Sequence, residues 1–184
     1  TYDYTANYWK HFNNTFIVLY NPAQESILYR VLGDYADETK AVQLALETAR
    51  AQVNANANDK WAWFNLGDAY ARLGQYQEAT AAFDRAFNLQ MPWRTVWYLF
   101  TPFEAYYHVG RYDDVIRLAD NLERTSESYV EEAWYYRGLA YAAKGDANNA
   151  IAQFQRALNF NPNFTPAAES LAAVQNGNFI APVS

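Results

Sequence analysis

The sequence predicts an all-α fold built from antiparallel helical hairpins that repeat along the chain. Three observations carry this. Gly74, Gly110 and Gly145 recur at intervals of 36 and 35 residues, and each closes one helical pattern just before the next begins. Two stretches share one spaced set of small and aromatic residues. Trp63, Gly67 and Tyr70 precede Ala79, Phe83 and Ala86, and Trp134, Gly138 and Tyr141 precede Ala150, Phe154 and Ala157. Within each stretch the apolar residues fall three and four apart, which is one face of a helix.

The first 21 residues stand outside this scheme. Phe16-Ile17-Val18-Leu19-Tyr20 is a short run rich in strand formers, so residues 1–21 are expected to form an extended segment. A lone strand is not stable in water, so this one needs a partner. Residues 22–56 read as an imperfect N-terminal hairpin. Asn21-Pro22 opens a helix that runs to Leu32 and is closed by Gly33. Asp37 caps a second helix over about 38–55, with Ala41, Leu44, Ala45, Thr48 and Ala49 on one face. The Asn-rich link Asn54–Asp59 is a turn.

Three hairpin units follow over 57–162, at about 60–92, 94–125 and 131–162. In the first, Gly67 and Ala79 let two backbones approach while Trp63, Tyr70 and Phe83 fill the flanking space. The middle unit is degenerate. Leu99, Phe103, Tyr106, Gly110 and Tyr112 keep the rhythm, but Pro102 falls inside the expected first helix and is expected to kink it. Its second helix carries Val115, Ala119 and Leu122 on the inner face. The third unit ends at Asn161-Pro162, because the residue before proline avoids the helical region. Thr165-Pro166 then starts a helix, with Thr165 as its N-cap, that runs to Asn176-Gly177. This helix, over 163–177, suits a cap on the last open hairpin face, and 178–184 is a tail.

The two regular units resemble the tetratricopeptide repeat (TPR), whose signature pairs Trp, Leu-Gly and Tyr on one helix with Ala and Phe on the next and a closing Pro. The resemblance covers roughly residues 60–162. It departs at Met91, where proline is expected, and at Arg137, where leucine is usual. It implies a right-handed superhelix of hairpins that binds partners and does no chemistry. Trp9 through Tyr20 resembles the final strand of a papain-like, bacteriocin-processing type peptidase domain of bacterial proteins. That likeness implies an accessory region of a longer protein, without that domain's Cys and His. The chain begins at Thr1 rather than Met, which also reads as a processed product or a piece of something longer.

Composition bounds the function. The chain has 184 residues, the length of one domain, and is 51% hydrophobic and 18% aromatic, so it can bury a core at many ring contacts. A net charge of −6 with no basic stripe argues against nucleic acid as a partner. No apolar run approaches the roughly 20 residues of a membrane-spanning helix. With no Cys, and only His11 and His108, no metal set is legible. Glu104 and His108, four apart, form at most half of one. The acidic pairs Asp113-Asp114 and Glu131-Glu132 sit at helix starts, where they complement the helix dipole. No catalytic residues and no cofactor are expected.

What remains is a groove. The resemblance implies that first-helix side chains facing away from the hairpin core meet a ligand. These are Trp61, Phe64, Asp68 and Arg72 in the first unit, and Trp97, Phe100, Glu104, Tyr107 and His108 in the second. The third supplies Glu132, Tyr135 and Tyr136. The family's carboxylate clamp uses Lys and Asn, and the corresponding positions here hold Phe64, Asp68, Phe100 and Glu104, so a clamp is not expected. An aromatic and acidic lining suits an apolar or basic protein segment. That segment is expected either in a separate partner or within the same parent protein, with residues 1–21 among the candidates. Packing against a peptidase-like domain of the parent and self-association into homo-oligomers are the alternatives.

Overall fold

The computed structural model describes residues 21–126 and 130–182, with side chains at all of these except positions 93, 94, 125 and 126. The fold is all-α, and no strand occurs among the described residues. The helices are α1 (Glu25–Leu32), α2 (Glu38–Ala55), α3 (Lys60–Arg72), α4 (Tyr76–Asn88), α5 (Thr101–His108), α6 (Tyr112–Ser126), α7 (Glu131–Ala143), α8 (Ala147–Phe160) and α9 (Thr165–Gln175). The extended segment expected at the N-terminus lies outside the described residues. The single domain expected from length is instead two compact units that divide after Met91. A repeat array has no shared central core, because each hairpin buries its faces only on its neighbours. The chain between α4 and α5 carries only the short 3-10 helix Trp93–Trp97.

In the first unit α3 packs against α2 on one side and α4 on the other. Leu46, Ala49 and Val53 of α2 bury against Ala62, Leu66 and Ala69 of α3 and Ala82 of α4. The Asp59 carboxylate accepts from the Trp61 and Ala62 amides and so caps α3. Asp37 caps α2 through the Lys40 amide, as its position predicts. The preceding pair differs from a regular hairpin. Helix α1 buries no side chain, and Ile27 and Val31 stay exposed. At the other end of the unit, Gln90 takes φ 60°, left-handed for a residue with a Cβ, where the signature would place the closing proline one residue later.

In the second unit α7 and α8 form a regular hairpin, α6 packs on α7, and α9 covers α8 and part of α7. Pro102 does not kink a long helix. It lies in the first turn of α5, where its missing amide costs no hydrogen bond, so the chain starts a new helix there. Val115, Ala119 and Leu122 are buried as expected. The N-cap of α9 is Phe164, one residue before the expected Thr165, with proline in the first turn.

The three glycine corners are built alike. Gly74, Gly110 and Gly145 have φ of 72°, 75° and 79°. After each, one amide reaches back to a tyrosine carbonyl: Gln75 to Tyr70, Arg111 to Tyr106 and Asp146 to Tyr141, all at 2.9 Å. The glycine amides bond to Ala71, Tyr107 and Ala142. This is the six-to-one and five-to-two closure of a Schellman motif, which needs the left-handed residue at that point. The hairpins themselves are closed by helical glycines. A Cβ on Gly67 would lie 2.7 Å from the Phe83 ring, and one on Gly138 would lie 2.6 Å from Phe154. Both rings are fully buried.

Candidate functional site

The residues expected to line one groove divide between the two units. In the first unit Phe64 is not on a free face. It has no exposed surface and packs on Phe83 at 5.2 Å and Phe87 at 6.4 Å between ring centroids. Asp68 is likewise buried, and its carboxylate accepts from Arg72 Nε at 3.0 Å. Helix α3 buries Phe64 through Ala69 almost without interruption, so both of its faces are covered rather than one. Trp61 is half-buried and Arg72 is exposed.

In the second unit α5 and α7 bring most of the remaining residues together. Glu132, Tyr135 and Tyr136 lie at i, i+3 and i+4 and so share one side of α7. The Tyr136 ring lies nearly parallel to Phe103 at 5.4 Å and 20°, and to Phe100 at 6.5 Å and 26°. Tyr135 meets Tyr136 at 5.3 Å, Phe154 at 6.2 Å, and Phe164 edge-on at 5.3 Å. A run of rings therefore extends from Phe100 at the start of α5 to Phe164 at the start of α9. Phe100, Tyr135 and Tyr136 are only half-buried, while Phe103 is buried beneath them. Tyr107 is also buried, against His108 at 5.9 Å and Tyr112 at 5.6 Å. The Trp97 ring lies 6.4 Å from Tyr98, tilted by 58°.

Burial sets the chemistry of this face. It pushes the Tyr107 phenol far above its usual range, with Tyr112 and Tyr135 adding to the shift. It raises the Tyr135 phenol as well, against a hydrogen bond to Ser170 that pulls it down. It raises the Glu132 carboxyl, partly offset by a bond to its own backbone amide and reinforced by Glu131. A desolvated carboxylate weakens the fold whenever it is charged. Since the folded value lies above the ordinary 4.5, the cost is absent below pH 4.5 and develops as pH rises through the folded value. Glu132→Gln is therefore expected to be more stable than the parent at pH 7 and equal to it at pH 4. Thermal unfolding at the two pH values checks this, and an equal or lower midpoint at pH 7 would contradict it.

Several cations of the unit pair with α6. Arg111 and Arg117 pair with Asp114, Lys144 with Asp113, Arg156 with Glu123, and Arg124 donates to Asn121. All these partners are on α6. Arg137, which replaces the usual leucine of the signature, reaches the same helix. Its guanidinium bonds Asp120 at 2.5 Å and Glu123 at 2.9 Å, and Gln153 of α8 at 2.8 Å. It lies over Trp134 at 4.3 Å, as Arg156 does. The sequence marks Arg137 as a departure, and two acidic residues one turn apart on α6 are the signal that it has partners. Among the described residues no cation lies within ion-pairing distance of Glu132, and no group of three or more His, Cys, Asp or Glu is placed to hold a metal. No helix among them is long and apolar enough to cross a membrane.

Residues 61–91 and 131–164 match the family described as tetratricopeptide repeat. Over these two hairpins the chain is similar to tetratricopeptide repeats. The TPR match leaves the middle hairpin outside it, in keeping with its interrupted first helix. It also leaves residues 9–20 outside, so the peptidase-like likeness read there gains nothing from it. A curated relative, the TPR repeat-containing protein MJ1428 of Methanocaldococcus jannaschii, is 23% identical over 158 residues, covering 81% of this chain. The chain spans about a quarter of that relative, 27% of its length. Among solved structures, MamA 41-end from Desulfovibrio magneticus RS-1 superposes with a TM-score of 0.65 at 20% identity, covering 82% of this chain and 85% of that one. YrrB, named as a TPR protein with an unusual peptide-binding site, gives 0.61 at 16% identity, covering 81% and 74%. These likenesses are of fold.

Proposed function

We propose that this chain is a non-catalytic protein-interaction module, and that the α5/α7 face of its second unit takes an apolar or basic protein segment. The TPR fold supports a protein or peptide partner. The observation that carries the finer reading is the half-buried ring run Phe100–Tyr136–Tyr135 beside Glu132, with Arg111, Arg117, Arg137, Lys144 and Arg156 paired to acidic residues of α6 instead. Rings remove large areas from water on binding and attract cations, and a face of this sign repels an acidic tail. YrrB offers the parallel of a TPR protein with a peptide site, here without the residues of a carboxylate clamp. Phe64 and Asp68 leave the binding set because they are already buried.

A twelve-residue peptide alternating Leu and Lys tests the reading against the same peptide with Glu in place of Lys. Titration calorimetry is expected to give at least about tenfold tighter binding of the basic peptide, the effect of roughly 1.4 kcal/mol. Phe100→Ala is expected to weaken that binding about tenfold or more, as a central aromatic contact does, with little change in thermal midpoint. Equal or tighter binding of the acidic peptide would overturn the reading. So would a Phe100→Ala protein that unfolds, since the ring would then belong to the core.

A further inference from the structure

We infer that Glu132 is the counter-ion for a lysine or arginine side chain of the bound segment, so that this one carboxylate makes the face select a cation at a fixed place. The inference rests on the reading of the α5/α7 face given above. Three observations converge on it. Glu132 stands one turn before Tyr135 and Tyr136 on the same side of α7, so its carboxylate and the two ring faces border one site. The cations that could have neutralised it are committed elsewhere. Arg137 lies only five residues on, yet bonds Asp120, Glu123 and Gln153. Glu131, the adjacent carboxylate, is held by the Asn161 side-chain amide at 3.0 Å. Glu132 is thus left half-buried one turn from Tyr135 and Tyr136, with another carboxylate as its nearest charged neighbour in sequence.

The chemistry of the occupant follows. A carboxylate that has lost water without gaining a cation recovers energy when one arrives, and the surrounding rings strengthen the attraction. A lysine or arginine stem is apolar along its length, so it can lie on Tyr136 while its head reaches the carboxylate. A neutral side chain of the same length gains the ring contact only. Selection therefore comes from Glu132 and general affinity from the rings.

The test uses the whole chain and two peptide arrays that differ only at the centre, one with lysine and one with norleucine, each flanked by apolar residues. Affinities are measured for the parent and for Glu132→Gln, a variant expected to fold at least as well. The parent is expected to prefer lysine by about tenfold. Glu132→Gln is expected to erase that preference while leaving norleucine binding unchanged. A lysine preference that survives in Glu132→Gln overturns the role of Glu132 and leaves the face as the binding surface. Loss of norleucine binding in the variant also overturns it, since the carboxylate would then be shaping the face and not selecting charge. Failure of the parent to bind either array overturns the reading of the face, and this inference with it.

Discussion

Phe154→Ala is expected to lower the stability of the second unit by about 3–5 kcal/mol, the usual cost of truncating a fully buried phenylalanine. The site gives the surroundings little room to relax. Phe154 has no exposed surface, and its ring fills the space that Gly138 leaves on the facing helix, where a Cβ would come within 2.6 Å. Removing the ring opens a cavity against the Gly138 backbone, which cannot collapse as a side chain does. Phe83→Ala makes the same cavity opposite Gly67 and is expected to cost the same in the first unit. Urea unfolding measures both. A loss below about 1 kcal/mol at either site would mean that the two hairpins are not built on one plan.

Neutralising Asp120 and Glu123 together, as the double Ala variant, is expected to cost about 2–3 kcal/mol. The figure lies below the range for wholly buried pairs. Arg137 is the reason for the loss. Its side chain is only 8% exposed, while Asp120 is 51% exposed, so the guanidinium and not the carboxylate is the charge left without compensation. Gln153 and the Trp134 ring face remain as partial support. Arg137→Leu, which restores the signature residue, is expected to cost less than the double variant, because it removes the buried charge and leaves carboxylates that can reach water. Denaturant unfolding of the two variants orders them, and a larger loss for Arg137→Leu would show that Arg137 acts through packing rather than charge.

The two regular hairpins were legible in the sequence because their geometry depends on pairs of residues with few substitutes. A glycine facing a phenylalanine at Gly67–Phe83 and Gly138–Phe154, and a glycine at each corner, leave a pattern that spacing alone reveals. Pro102 was expected to kink a long helix and instead stands in the first turn of a new one, which local spacing does not reveal. Tertiary packing decides it, with Phe103 and Tyr106 buried and a 3-10 helix at Trp93–Trp97 ending before α5 begins. For the candidate site, Glu132, Tyr135 and Tyr136 came from the resemblance to the TPR, and their spacing does put them on one side of α7. Phe64 and Asp68 did not follow, because a period assigns a residue to a side of its helix without saying what covers that side. Phe87, on the next helix, covers Phe64. The partners of Tyr135 were equally hidden, since Phe164 and Ser170 come from the capping helix about 30 residues on.

The central claim is that the α5/α7 face is the surface that meets a partner. Mapping amide chemical shifts of the whole chain while the Leu-Lys peptide is added tests it most directly. The account predicts shifts that saturate and cluster at Phe100–His108 and Glu132–Tyr136, with α6 and the outer side of α8 unmoved. Shifts that cluster instead along the acidic side of α6, or on the exposed apolar side of α1, would contradict it.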